Sequence, residues 1–308
     1  MSKHVVVGSG PVGTCTAKEL ADRGEEVVLV SRSGAGPELA GVCRVVLDVS
    51  DADALTALAE GAEALYNCVN PPSYDVWSTW WPPVAAAFLV AAERTGAVLV
   101  TASSLYGYGP VEAPMVEGQP DVATDRKGRL RAGMWAEARA AHEAGRLRAV
   151  EVRGSDYVGP GVTQAHVPMV AAKALAGKPV RMFGRTDLPH SFTDVRDMAR
   201  TLVAVAADPG THGRVWHAPT TAPRTQAEAV ADVCRAAGRE PVRVRSWPRT
   251  MTTVGGRFVP ALRELGDMLY MFERAYVLDS TATEQALGLK PTPWEESCRA
   301  TAEAALSA

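Results

Sequence analysis

A chain of 308 residues, 47% hydrophobic and 22% charged, has the make-up of a globular protein and excludes a disordered, collagen-like or coiled-coil chain. Its 32 basic and 35 acidic residues leave a formal net charge of -3, so no basic surplus draws it to nucleic acid. No stretch approaches the about 20 apolar residues of a membrane span, and Met1-Ser2-Lys3-His4 leads into valines and glycines rather than a signal-peptide core.

The first 150 residues alternate short apolar runs with helical periodicity. Strands are expected at Val5–Val7, Glu26–Val30, Arg44–Leu47, Ala64–Cys68, Val98–Thr101 and Arg148–Arg153. Helices are expected between them at Val12–Arg23, Asp51–Glu60, Pro82–Thr95 and Leu130–Ala144. Gly24, Gly61, Gly96 and Gly145 supply stop signals. Ser50 with Asp53 reads as a variant capping box, and Pro82-Pro83 suits a first helical turn. Beyond about residue 155 the pattern loosens. Helices fit His166–Ala176, Val195–Ala207, Gln226–Ala237, Pro260–Phe272 and Pro293–Leu306, and short strands fit Val180–Phe183, Val215–His217 and Val242–Ser246. The segment from Gly107 to Arg129 is long, charged and rich in Gly and Pro, as functional loops often are. Cys15, Cys43, Cys68, Cys234 and Cys298 show neither close pairs nor zinc spacing, and are read as buried free thiols in a reducing cytoplasm.

Gly8-Ser9-Gly10-Pro11-Val12-Gly13 is a GxGxxG that follows a strand and opens a helix, the context that gives this motif its meaning. The first glycine permits the tight turn, the second admits a pyrophosphate and the third lets helix and strand pack closely. At the end of the second strand, where an acidic residue would select NAD, stands Ser31-Arg32-Ser33. A guanidinium pairs with a 2′-phosphate, so NADP is favoured over NAD, a solvated arginine being the alternative. Asp48 is placed to accept from the adenine amino group, or else to cap the next helix. Val49, Cys68 and Val69 complete the expected cofactor-binding set. The fold expected is α/β, a Rossmann-like doubly wound parallel sheet with a smaller C-terminal substrate-binding part. Residues 1–158 would form the dinucleotide-binding core, completed by about 190–218, and residues 159–308 mainly the substrate part, in one compact unit.

The chain resembles the extended or atypical short-chain dehydrogenase/reductase superfamily, the group of NAD-dependent epimerases and dehydratases. The resemblance rests on the glycine motif, on Ala102-Ser103-Ser104-Leu105-Tyr106-Gly107, on Arg153 through Gly161, on His190-Ser191-Phe192-Thr193-Asp194-Val195-Arg196-Asp197 and on Gly288 through Pro293. The usual mechanism implied by that family needs a tyrosine four residues before a lysine, whose ammonium lowers the phenol pKa. No tyrosine in this chain has a lysine four residues on. Met134 and Ala138 stand at the expected pair, and Ala102 at the family's serine or threonine. Tyr106, Ser103, Ser104 and Glu137 are the candidate replacements, each with a plain structural alternative as a loop or pocket-wall residue.

On the substrate side, Asn70, Tyr74, Trp77, Met134, Trp135 and His190 suit a sizeable apolar or aromatic ligand, or equally ordinary packing. The reading favoured is an NADP(H)-dependent oxidoreductase acting on a largely apolar carbonyl, enol or imine. The alternatives are a non-redox isomerase, cyclase or lyase on the same scaffold, and a nucleotide-sensing binding protein. A small-molecule substrate is expected, with no nucleic-acid or membrane partner and no metal. A homodimer through the helices at Pro82–Thr95 and Leu130–Ala144 is suggested by analogy alone.

Overall fold

The computed structural model describes residues 1–71, 73–112, 114–248, 266 and 268–307. The chain folds as two compact units, the first made of Met1–Gly107, Arg129–Arg153 and Met198–Trp216, the second of Tyr108–Gly128, Gly154–Asp197 and His217–Ala308.

The first unit is built on the α/β sheet that the strand and helix alternation foretells. Its strands are β1 (Lys3–Val7), β2 (Glu26–Ser31), β3 (Val42–Val46), β4 (Ala62–Asn67), β5 (Val98–Ser104), β6 (Ala149–Gly154) and β10 (Val215–His217). They lie in the order β10-β6-β5-β4-β1-β2-β3, and the pairs from β3 across to β5 are parallel. Neighbours β1 and β4 are non-consecutive, so the winding reverses between them. Ligands of such sheets bind at that switch point, beyond the carboxyl ends of the strands.

Helices α1 (Pro11–Asp22), α2 (Ala52–Ala59), α3 (Trp77–Thr95) and α4 (Arg126–Glu143) cover the strands. One core joins Val5, Val7, Val28 and Val30 of the sheet to Trp81, Val84 and Phe88 of α3 and to Trp135 and Ala138 of α4. The starts of α2, α3 and α4 differ from the sequence reading in ways that matter. Asp51, not Ser50, caps α2, accepting the Ala54 N–H at 3.0 Å. Helix α3 starts at Trp77, so Pro82 and Pro83 sit inside it, on its exposed side where solvent can take the carbonyls they leave unbonded. Helix α4 starts one turn early, with Asp125 Oδ1 accepting the Gly128 N–H at 2.8 Å.

In the second unit β7 (Asp156–Val158) pairs in parallel with β9 (Phe192–Asp194), and β8 (Val180–Met182) with β11 (Val244–Ser246). Helices α5 (Pro168–Leu175), α6 (Gln226–Ala236) and the last helix, Trp294–Ser307, pack over them around Ala171, Leu175, Val230, Val233 and Cys298. Most of the expected helix Pro260–Phe272 lies outside the described residues; Tyr270–Glu273 forms one helical turn. Cys43 on β3 is exposed, unlike the buried thiol expected there. Among the described residues, no helix is long and apolar enough to cross a membrane.

Candidate functional site

The glycine loop forms as the motif requires. Gly8 adopts φ +110°, a conformation for which only glycine is at ease, and its N–H donates to Val30 O at 2.8 Å. A β-carbon at Gly8 would lie 2.6 Å from the Cys68 carbonyl oxygen, and one at Gly13 only 1.8 Å from that of Gly8. A β-carbon at Gly10 would meet nothing within 4 Å. Two of the three glycines are therefore demanded by the chain's own backbone, and the third is not. Gly10 caps α1 without a side-chain bond and Pro11 fills its first turn. The N–H groups of Val12 and its neighbours stand at the positive end of the helix dipole, where anions are favoured.

Ser31-Arg32-Ser33 turns beside this loop. Ser31 Oγ donates to Ala35 O at 2.9 Å and Ser33 Oγ accepts the Ala35 N–H at 3.3 Å, so both hydroxyls shape the turn that presents the exposed Arg32. A β-carbon on Gly36 would come 3.2 Å from Cβ of Ser9, which places this turn against the glycine loop. Asp48 Oδ1 accepts from Ser50 N at 3.0 Å and Ser50 Oγ at 2.8 Å. Those bonds, with a lesser pull from Arg32, hold its carboxyl below the usual range. Asp48 neither caps α2 nor keeps Oδ1 open. Val49 is buried in the core rather than open to a ligand. Cys68 presses its carbonyl on Gly8, and burial pushes its thiol up to about 12, which leaves it unreactive. Val69 donates its N–H to Asn67 Oδ1 at 3.4 Å.

Beyond β4 and β5 the same unit assembles an aromatic cluster. The Tyr74 and Tyr106 hydroxyls meet at 3.2 Å. The Trp77 ring lies 5.3 Å from that of Tyr74 and 6.1 Å from that of Tyr106. Arg131 covers Trp77 and Trp81 at 5.0 and 4.2 Å, and its Nη2 reaches Asn70 Oδ1 at 3.5 Å. Asn70, Tyr74, Trp77 and Tyr106 thus come together as the sequence suggests. Arg131 was missed, because starting α4 at Leu130 hid the buried pair Lys127 and Arg131 on its first two turns. The signal was present: Asp125 as a cap, then two cations one turn apart. Trp135 belongs to the core instead of a ligand wall, Met134 packs against that core, and Glu137 is exposed. Ser103 is buried, while Ser104 Oγ is buried with no hydrogen-bond partner among the described residues.

The second unit holds two histidine networks. His190 is buried and bonds Asp156 Oδ2 through Nε2 at 2.7 Å. Burial opposes charge on Asp156, but the His190 bond outweighs it with help from His166, and the carboxyl stays below its ordinary value. His217, wholly buried, has its Nε2 2.8 Å from the Tyr108 hydroxyl and its Nδ1 2.7 Å from the Asp279 carbonyl oxygen. A carbonyl can only accept, so Nδ1 carries a proton. Among the described residues, no group of three or more His, Cys, Asp or Glu is arranged to hold a metal ion.

The family model described as "NAD dependent epimerase/dehydratase family" matches residues 5–218. No curated protein matches the chain by sequence. Among solved structures, a UDP-glucose 4-epimerase from Thermotoga maritima, with UDP-glucose, superposes with a TM-score of 0.79 at 18% identity over 99% of each chain. A UDP-N-acetylglucosamine 4-epimerase from Methanobrevibacter ruminantium, in complex with UDP-N-acetylmuramic acid, gives 0.80 at 16% identity, covering 99% of this chain and 98% of that one. A dTDP-glucose 4,6-dehydratase from Bacillus anthracis, in complex with NAD, gives 0.79 at 14%, covering 100% and 97%. At these identities the likeness is one of fold.

Proposed function

Because the chain belongs to the NAD dependent epimerase/dehydratase family, we propose that it binds a nicotinamide dinucleotide, NADP(H) in preference to NAD(H), and works as an oxidoreductase on a small substrate with an apolar or aromatic face. The observation that carries this reading is Gly10. Among the described residues, none but its own chain neighbours lies within 4 Å of where its β-carbon would be, so the space is available to a pyrophosphate over the N-terminus of α1. Arg32, exposed on a turn held by both neighbouring serines, supplies the cation that a 2′-phosphate selects. When bound, the nicotinamide supplies or takes the hydride.

The chain's own residues do the rest. Tyr74 and Tyr106 form the wall for the substrate's flat face, and Trp77, buried in the core, packs against both rings and against Arg131. Tyr106 exchanges the proton, its phenol held by that of Tyr74. Ser104 Oγ, buried and without a partner among the described residues, is the nearest hydroxyl in sequence to polarise a reacting oxygen. Asn70 anchors Arg131 to the loop after β4.

Family membership itself favours a second reading, an epimerase or dehydratase in which the cofactor is reduced and reoxidised within one turnover. The neighbours named above act on nucleotide sugars. Stoichiometric NADPH consumption supports the first reading, and conversion with no net change in NADPH supports the second. Calorimetry of NADPH against NADH on wild type and Arg32→Ala tests the cofactor. The expected result is a preference for NADPH that Arg32→Ala removes. If neither nucleotide binds at about micromolar level, the oxidoreductase reading fails. Tight binding with no turnover of any ligand turns the protein into a nucleotide sensor.

A further inference from the structure

The sequence Pro-Val-Arg occurs twice in the second unit, at 179–181 and at 241–243, and the second copy runs on as Val244-Arg245. Both copies lead into strands. β8 and β11 pair in parallel with Val180 beside Val244 and Arg181 beside Arg245. The ladder extends past both ends of β11, because Val180 N donates to Arg243 O at 3.1 Å and Trp247 N to Met182 O at 2.8 Å. Side chains alternate across a strand. Val180, Met182, Val242 and Val244 face one way, into the core of the unit. Arg181, Arg243, Arg245 and Trp247 face the other, and all three arginines are exposed. The guanidinium of Arg181 lies over the Trp247 ring, 5.2 Å from its centre, and donates from Nη1 to Ser246 O at 3.5 Å.

Like charges so arranged repel. Neighbouring strands lie about 4.8 Å apart and alternate residues of one strand about 6.6 Å apart, so the roots of Arg181, Arg243 and Arg245 form a triangle smaller than the screening length of about 8 Å in physiological salt. The remaining outward positions of the two strands are Pro179 and Pro241, so no carboxylate of the sheet itself relieves the charge. Asp187, the next carboxylate after β8, is held by Arg185 at 2.7 Å. Of the exposed residues leading into the strands, Lys178 and Arg239 add to the charge and Glu240 offsets one of them. From this geometry we infer that the outer face of β8 and β11 docks an acidic polypeptide segment of a partner, extended along β11 with a carboxylate at every second residue. The period carries the match. An extended segment repeats alternate side chains at the same spacing of about 6.6 Å as the strand beneath it, so successive Asp or Glu side chains meet Arg243 and Arg245. Each carboxylate can accept two parallel N–H bonds from a guanidinium. Arg181 flanks the track at Arg245, and Trp247 offers an apolar ring at its end. A nucleic acid fits less well, since proteins that bind a phosphate backbone commonly contact about 6–10 phosphates, more than this face offers. The face belongs to the second unit, and the inference does not rest on the cofactor reading.

The test uses the full chain and fluorescein-labelled decapeptides, with binding read by fluorescence anisotropy at low ionic strength. One peptide alternates Glu and Ser, and its isomer carries the same glutamates in one block. The alternating peptide should bind at least about fivefold more tightly than the block isomer. The double variant Arg243→Ser with Arg245→Ser should weaken the alternating peptide at least about tenfold and leave the urea midpoint unchanged, as exposed positions do. If that variant fails to fold, the comparison of the two peptides on the wild-type chain decides the matter. No binding of the alternating peptide, equal binding of the two isomers, or unchanged affinity in the folded double variant would overturn the docking face. Tighter binding of a thymidine decanucleotide than of the alternating peptide would overturn it in favour of nucleic acid.

Discussion

Gly13 lies against Gly8 so closely that a β-carbon on the former would stand 1.8 Å from the carbonyl oxygen of the latter. This contact closes α1 onto the end of β1 and points the first turn of the helix beyond the strand ends. It also separates the structural glycines of the loop from Gly10, whose missing side chain relieves no contact inside the protein.

That distinction predicts opposite behaviour for two substitutions. Gly13→Ala should overpack the turn and cost about 1–3 kcal/mol or more in a urea melt. Gly10→Ala should leave the melt within about 0.5 kcal/mol and reduce NADPH affinity by at least about tenfold, a loss of about 1.4 kcal/mol. Equal destabilisation by both, or unchanged NADPH binding in Gly10→Ala, would contradict the assignment of this loop to the pyrophosphate.

Glu151 and Arg153 form a buried ion pair on β6, 2.7 Å apart with side chains 3% and 1% exposed. Removing one partner takes a short charge-assisted bond out of the interior. Glu151→Ala should destabilise the protein by about 3–5 kcal/mol. A loss below about 1 kcal/mol, the range of exposed pairs, would mean that water reaches the pair.

The phenols of Tyr74 and Tyr106 share a partly exposed bond, so Tyr106→Phe should cost no more than about 1.5 kcal/mol of stability. If Tyr106 exchanges the proton, the same change should lower the hydride-transfer rate by about 100-fold or more with NADPH binding intact. Tyr74→Phe should slow it less, because one hydroxyl remains. Identical rates for wild type and Tyr106→Phe would remove Tyr106 from the chemistry.

Burial holds His4, His166 and His212 below the ordinary histidine value of 6.5. The unfolded chain therefore takes up protons near pH 6.5 that the folded chain refuses until lower pH. Stability rises with pH wherever the unfolded state binds more protons. It should fall as pH drops below 6.5, and fall further below the ordinary carboxylate value of 3.8 as Asp156 and Asp48 lose their bonds. Urea midpoints at about pH 7.5 and 5.5 check the histidine part. A midpoint that is flat or higher at the lower pH would place at least one of these rings in a charge-stabilising setting.

Sequence periodicity alone determined the strand and helix alternation, and with it the sheet, because period and stop signals are local properties of the chain. The glycine loop was legible for the same reason, as its spacing directly encodes a turn and a helix start. So was the grouping of Asn70, Tyr74, Trp77 and Tyr106, since all four follow strands whose carboxyl ends must share one edge. Helix starts were harder. The prolines of α3 looked like an N-terminus, and only their exposed placement explains how the helix tolerates them inside. The charged start of α4 lacked apolar periodicity, which concealed Lys127 and Arg131. Only the tertiary structure decided which titratable groups are buried and what they face. Glu137 is exposed, Val49 and Trp135 belong to the core, and the partners of His166, His190 and His217 come from segments 34 to 109 residues away. A hydrogen bond across such a separation leaves no periodic trace in the chain, because it depends on where packing brings two distant backbones together.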